Sequence, residues 1–289
     1  MYIQQTLATG DLVKIDMGVH IDGYITVSAH TVIVGHAATA EAPVTGPLAD
    51  VFHAAYTCAE VAARLIKPGA DNNSVTEAMK RVCATFGVHP LQGSVMHQMK
   101  RYVIDGNKNI AMHDASAENA KVEKCTFEAG EIYALDICLS TGEGKRKDKN
   151  TRTTVYKRVV DTKYALKIPS SRKFLNEINA KFPSLPFSLR QCEDEMVAKM
   201  GVRECATHEL VTPYNVVYES PDSKLCHVKY TILLLNSGNV KITGIEMPEN
   251  LVSSKVADLP ADLKELLASV SIEKKKKNRG NKGKKAAAA

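Results

Sequence analysis

Apolar and polar positions alternate over residues 10–34, which predicts a strand pair. GDLVKIDMGVH brackets Asp16 with apolar residues, Asp22-Gly23 is a tight-turn signal, and YITVSAHTVIVG returns as a β-branched run. From Gly46 to Ile66 the period changes. Leu48, Val51, Phe52, Ala55, Cys58, Ala59, Ala62 and Ile66 share one helical face, and Pro68-Gly69 stops it. Ser74 reads as the start of a second helix, with Glu77 completing a capping box and Gly87 ending it. Residues 88–128 hold short strand-like pieces and a polar loop around His113–Glu123. A basic, polar stretch over 143–160 leads into a strand. Three short helices are expected over 169–212: SSRKFLNEINAKF, SLRQCEDEMVAKMG with a glycine C-cap, and Arg203–Leu210. Strands Val216–Tyr218 and His227–Leu235 and an amphipathic helix at Pro260–Ser269 follow. Without a regular βαβ repeat, the pattern is α+β.

One segment has an echo. Gly10–Val19 (GDLVKIDMGV) resembles Gly130–Leu139 (GEIYALDICL) at a constant offset of 120, so Asp16 pairs with Asp136. Two such strand units suggest two halves related by pseudo-symmetry around one sheet.

Composition narrows the function classes. Hydrophobic residues make up 44% of the 289 residues and charged residues 24%, enough apolar material for a core. No run approaches the roughly 20 apolar residues of a membrane span, so membrane insertion is not expected. The start of the chain has no basic region followed by an apolar core, so it is no secretory signal. Seven scattered cysteines without a CxxC pair fit reduced thiols rather than a disulfide framework or a zinc site. The net charge of +6 is concentrated at one end. Lys274, Lys275, Lys276, Lys277, Arg279, Lys282, Lys284 and Lys285 carry eight of the 38 basic charges, leaving 30 against 32 acids in the rest. This tail is expected to be disordered. It is either a contact for nucleic-acid phosphates and a nuclear or nucleolar address, or a solvated terminus with no partner.

Two features could carry chemistry or recognition. An aspartate inside an apolar strand is costly to bury, so Asp16 and Asp136 either help hold a divalent ion or accept hydrogen bonds that shape the core. The nine histidines form no HxxxH or HExxH pattern and read as scattered core or surface residues. Leu263-Lys264-Glu265-Leu266-Leu267 is an LxxLL pattern. Leu263, Leu266 and Leu267 either dock in a partner's groove or pack on the protein's own sheet.

The blocks KIDMGVHIDGYI, MHQMKRYVIDG, GEIYALDICLSTGEGK and HVKYTILL together resemble the proliferation-associated, ErbB-binding protein family. That family is a non-catalytic branch of the type-2 methionine aminopeptidase relatives in the M24 peptidase superfamily. The resemblance runs from about Asp11 to Lys285. It implies a pita-bread fold over residues 1–272, a helical insertion at about 165–215 and a lysine-rich tail at 273–289. It also implies that the family's opening strands and helices are missing, since only ten residues precede Asp11. The expected consequence is exposed apolar surface, with poor solubility or a covering partner.

The peptidases of the superfamily bind two metals through five side chains. Carried over by the resemblance, the first aspartate falls on Asp16 and the first glutamate on Asp136, both carboxylates. The second aspartate falls on Val27, the histidine on Ser94 and the last glutamate on Lys229, and all three are lost as ligands; His97 lies three positions from the histidine's place. Two of five ligands remain, so no cofactor and no peptidase activity are expected. Lys229 is expected to take over the metal's electrostatic role. The resemblance further implies association with the large ribosomal subunit and structured RNA. It implies shuttling between cytoplasm, nucleus and nucleolus, a part in growth control, ribosome biogenesis and translation, and protein regulators bound near the LxxLL helix. The basic tail, Lys145–Lys149 and Arg172-Lys173 are the expected phosphate contacts.

Overall fold

The computed structural model describes residues 6–36, 43–112, 122–149 and 151–269. The basic tail and most of the polar loop at 113–123 lie outside the described residues. Among the described residues no helix is long and apolar enough to cross a membrane.

Strands β1 (Leu12–Ile21) and β2 (Tyr24–Ile33) form the expected hairpin, closed by Asp22 and Gly23 at φ 51° and 81°. Positive φ at both central residues is what a two-residue turn between twisted strands requires. Helix α1 (Pro47–Leu65) follows, then α2 (Asn72–Phe86). The cap of α2 differs from expectation. Asp71, not Ser74, is the N-cap: its carboxylate accepts from the Ser74 amide, and the Ser74 hydroxyl donates back to the Asp71 carbonyl. Gly87 ends α2 in the left-handed region, as expected.

The remaining strands of the main sheet are β3 (His89–Pro90), β4 (Val95–Met99), β5 (Asn109–Ala111), β6 (Ile132–Ser140), β10 (Leu225–Leu233) and β11 (Val240–Lys241). The order is β1-β2-β10-β6-β4-β5, with β11 also on β10 and β3 also on β6. Every pairing is antiparallel and the helices gather on one face, which makes the fold α+β. On the helix face, Tyr133, Leu135, Ile137 and Leu139 of β6 and Cys226, Val228, Tyr230 and Ile232 of β10 are buried under α1, with α2 packed beyond it. Helix α1 is alanine-rich and buried around most of its circumference. Those small side chains let it lie close to the sheet.

Between β6 and β10 the chain builds a second unit with its own core. Strands β7 (Val155–Arg158), β8 (Phe187–Ser188) and β9 (Val211–Pro213) form a small sheet in the order β8-β7-β9. Helices α3 (Pro169–Lys181) and α4 (Glu195–Thr207) pack with it around Phe174, Ile178, Phe187 and Val202. The stretch at about 165–215, expected as a helical insertion, holds α3 and α4 together with the short strands β8 and β9.

Two further expectations fail here. Gly201 does not end a helix; α4 runs through it from its Asp194 cap to Thr207, replacing two expected short helices. The glycine is there for contact, since a Cβ at 201 would lie 2.7 Å from Phe174 Cβ and 2.9 Å from the Ser170 carbonyl oxygen. Residues 216–218 are not a strand either. β9 ends at Pro213, which has no N–H for a ladder, and Tyr218 makes only an isolated bridge to Lys147.

Helix α5 (Ala261–Ala268) carries the LxxLL pattern. Leu263 is buried, and Leu266 and Leu267 are partly buried against the main core. The leucine face is turned onto its own protein.

Candidate functional site: a lysine between two carboxylates

The strand registers build the site. Asp16 is opposite Ala29, Ala29 opposite Lys229, and Lys229 opposite Asp136, a straight row across β1, β2, β10 and β6. Directly opposed residues in antiparallel strands share a face, so the whole row lies on the face away from α1. Val27 on β2 and His227 on β10 are two residues from the row and on the same face. His97 on β4 sits opposite Ala134 and joins them there.

This row has an approximate twofold axis between β2 and β10. It exchanges β1 with β6 at the offset of 120 read in the sequence, and β2 with β10 at an offset of 200. Threonines mark the second relation. The Thr31 hydroxyl accepts from the His227 amide at 2.8 Å and donates to the His227 carbonyl at 3.0 Å. The Thr231 hydroxyl does the same to Val27, at 2.9 and 2.8 Å. Each hydroxyl satisfies a buried N–H and a buried C=O of the facing strand, so the central pair stays closed where direct ladder bonds are replaced.

The electrostatics centre on Lys229. Its ammonium lies 2.8 Å from Asp16 Oδ2 and 3.1 Å from Asp136 Oδ2. Asp136 Oδ1 is held by His227 Nε2 at 2.7 Å. Burial alone would raise the Asp136 carboxyl, but the His227 hydrogen bond and the Lys229 charge overcome it and hold it at about 2. Burial would likewise lower the Lys229 ammonium, and the two carboxylates instead raise it above its ordinary value. Burial pushes the His97 imidazole down, against the pull of Asp136 and with the push of Lys229. The site thus sets the Lys229 ammonium between two carboxylates, with His97 beside them.

Val27 and Ser94 hold two of the other carried-over positions. Val27 is buried with Ile25, Met99 and Ala134 in an apolar cluster. Ser94 lies in the turn before β4, its amide bonded to the Leu91 carbonyl. His97 and His227, expected only as scattered core or surface residues, both come to Asp136. They are 130 residues apart in the chain, and only the strand order brings them to Asp136. The reciprocal Thr31 and Thr231 contacts were also missed; the offset of 200 between HTVIV and YTILL was the available signal.

The expected phosphate contacts outside the tail are partly engaged. Arg172 donates to the Leu166 and Lys167 carbonyls. Lys145 pairs with Glu143, Arg146 with Asp148, and Lys149 lies over the Tyr218 ring.

An all-antiparallel sheet with helices on one face and an acidic row on the other is the frame of a pita-bread metallopeptidase fold. Residues 2–150 match metallopeptidase family M24. The chain belongs to that family, in the branch of the proliferation-associated, ErbB-binding proteins. It is 42% identical over 281 residues to the ErbB-3 binding protein 1 of Solanum tuberosum, covering 96% of this chain and 70% of that protein. It is 37% identical over 274 residues to the curved DNA-binding protein of Schizosaccharomyces pombe, covering 94% and 70%. Among solved structures, a thermophilic Arx1 superposes with a TM-score of 0.81 at 27% identity, over 90% of this chain and 74% of that one.

The family name implies a bound metal, and the residues here do not fit one. The Lys229 ammonium occupies the space between the two carboxylates where a dication would bind, and Val27 offers no donor. Among the described residues, no three His, Cys, Asp or Glu side chains are grouped to hold a metal ion.

Proposed function

We propose that this chain is a non-catalytic regulator that associates with the ribosome and structured RNA on an aminopeptidase scaffold. The observation that carries the reading is the Lys229 ammonium bridging Asp16 and Asp136 at 2.8 and 3.1 Å. A site neutralised from within has no activated water with which to cleave a peptide bond. Recognition then falls to the surface and to the tail. Eight basic residues within Lys274–Lys285 make a polyanion contact whose affinity should fall steeply with salt. Similarity to the fission-yeast curved DNA-binding protein is consistent with a nucleic-acid partner. The family resemblance supplies the finer reading: large ribosomal subunit, growth control, ribosome biogenesis and translation, with the tail as a nucleolar address in a protein of cytoplasm and nucleus.

The test is co-sedimentation with purified large ribosomal subunits across a salt series, comparing the full chain with one ending at Glu273. Binding that weakens with salt and largely needs the tail supports the reading. Binding by neither form overturns it, and salt-insensitive binding by both moves the contact off the tail.

A further inference from the structure

One side of the second unit carries apolar side chains that its own core does not use. Met196 and Met200 of α4 are 71% and 53% exposed, and Ile168 and Tyr164, in the stretch before α3, are 51% and 39% exposed. The fold sets them in one row. The two methionines are a turn apart on α4, and the opposite side of that helix, Ala198, Val202 and Cys205, enters the core. The stretch 164–168 runs alongside the same helix in the reverse direction. The Tyr164 ring stacks at 3.6 Å on His208, which caps α4, and the Glu204 carboxylate accepts from the Lys167 and Ile168 amides at 2.9 and 3.3 Å. Glu204 is one turn from Met200, so Ile168 continues the row. Arg172 holds the same stretch from its other side, through the Leu166 and Lys167 carbonyls. Single exposed apolar residues are ordinary, but a fixed row of four is the mark of a contact surface.

The charges left open beside the row have one sign. Lys163, Lys167 and Arg203 have no carboxylate partner among the described residues. The nearby acids are already engaged: Glu204 by the two amides, Asp194 by the Met196 and Val197 amides, and Glu195 by Lys199 at 2.7 Å. Asp161 and Glu209 lie past the Tyr164–His208 stack, where the Val159 amide bonds the Leu210 carbonyl. We propose that this row docks an acidic amphipathic segment of a partner protein. The segment's aliphatic side chains pack on Met196, Met200 and Ile168, and its carboxylates pair with Lys163, Lys167 and Arg203. Methionine side chains adapt to such a partner, and the pinned stretch 164–168 needs no ordering on binding. The three open cations set the sign of the partner's charge. A nucleic acid fits less well. It would use the cations and leave the aliphatic side chains without a partner. Only Tyr164 offers a ring for a base, and one face of that ring is taken by His208. No residue of the tail or of the acidic row takes part, so this surface stands apart from the polyanion contact.

The test uses the full chain and a fluorescein-labelled amphipathic peptide of about four helical turns, leucine on one face and glutamate on the other. Its anisotropy should rise to saturation with added protein. Met196→Gln combined with Met200→Gln removes apolar surface without changing charge, and should weaken binding about tenfold or more. Lys167→Glu combined with Arg203→Glu should weaken it by a similar factor, most at low salt. The same peptide with lysine in place of glutamate should not bind. Absence of saturable binding overturns the proposal. So does binding that the methionine pair leaves unchanged, which places the peptide on the basic tail. A labelled RNA duplex that loses as much affinity as the peptide in the methionine variant also overturns it, in favour of a nucleic-acid surface. All four positions are exposed, and unfolding curves confirm that each variant is folded before its binding is compared.

Discussion

The two halves of the acidic row begin from the same sequence pattern and end in different environments. Asp136 on β6 has strands on both sides, a quarter of its side chain exposed, and two partners, His227 and Lys229. Asp16 on β1 is at the sheet edge, nearly half exposed, with Lys229 at 2.8 Å. The twofold relation explains the difference residue by residue. The position that holds His227 beside Asp136 holds Val27 beside Asp16, and the position of Lys229 is Ala29 on the other half. One half supplies the cation and the histidine, while the other supplies a second carboxylate and apolar packing. A scaffold that could take a dication symmetrically is instead balanced by one asymmetrically placed lysine.

The largest way to break this balance is Lys229→Met. Both carboxylates then lose their buried cation, and removing one member of a buried charge set costs about 3–5 kcal/mol. Urea unfolding at neutral pH should show a loss of that size. A loss below about 1 kcal/mol would mean that Lys229 is a surface pair.

The two aspartates should separate next. Asp136→Asn removes the carboxylate held by both His227 and Lys229, and should cost about 3 kcal/mol. Asp16→Asn removes a half-exposed partner and should cost about 1 kcal/mol or less. Acid unfolding sharpens the contrast. The Asp136 carboxyl sits at about 2 in the fold, below the ordinary aspartate value of 3.8. A depressed carboxyl contributes stability that is present above its unfolded value and lost as pH falls through its folded one. Stability should therefore drop between about pH 4 and about pH 2 in the parent and in Asp16→Asn, and this part of the drop should vanish in Asp136→Asn. Equal acid limbs in all three proteins would remove the distinction between the halves.

Much of this arrangement was legible in the chain. The β1–β2 hairpin followed from alternation and Asp22-Gly23, and the echo at an offset of 120 marked the two strands that carry the outer carboxylates. Lys229 as their partner came from the family resemblance, and the register made it a geometric fact. What stayed hidden depends on contacts between distant segments. Gly201 reads as a helix stop until α3 is seen pressing on it. His97 and His227 have no motif spacing, because strand order, not sequence distance, brings them to Asp136. The LxxLL leucines read two ways in the sequence; in the fold Leu263 is buried and Leu266 and Leu267 are partly buried against the main core. The match between the threonine bridges was too short to stand out from chance β patterns until both hydroxyls were seen to bond the facing strand.

The central claim is that Lys229 stands where a metal ion would otherwise bind. Metal analysis of the purified, desalted protein, after exposure to cobalt, manganese or zinc, tests it most directly. The account predicts no stoichiometric divalent ion in the parent chain. One or two tightly held equivalents per chain would contradict it.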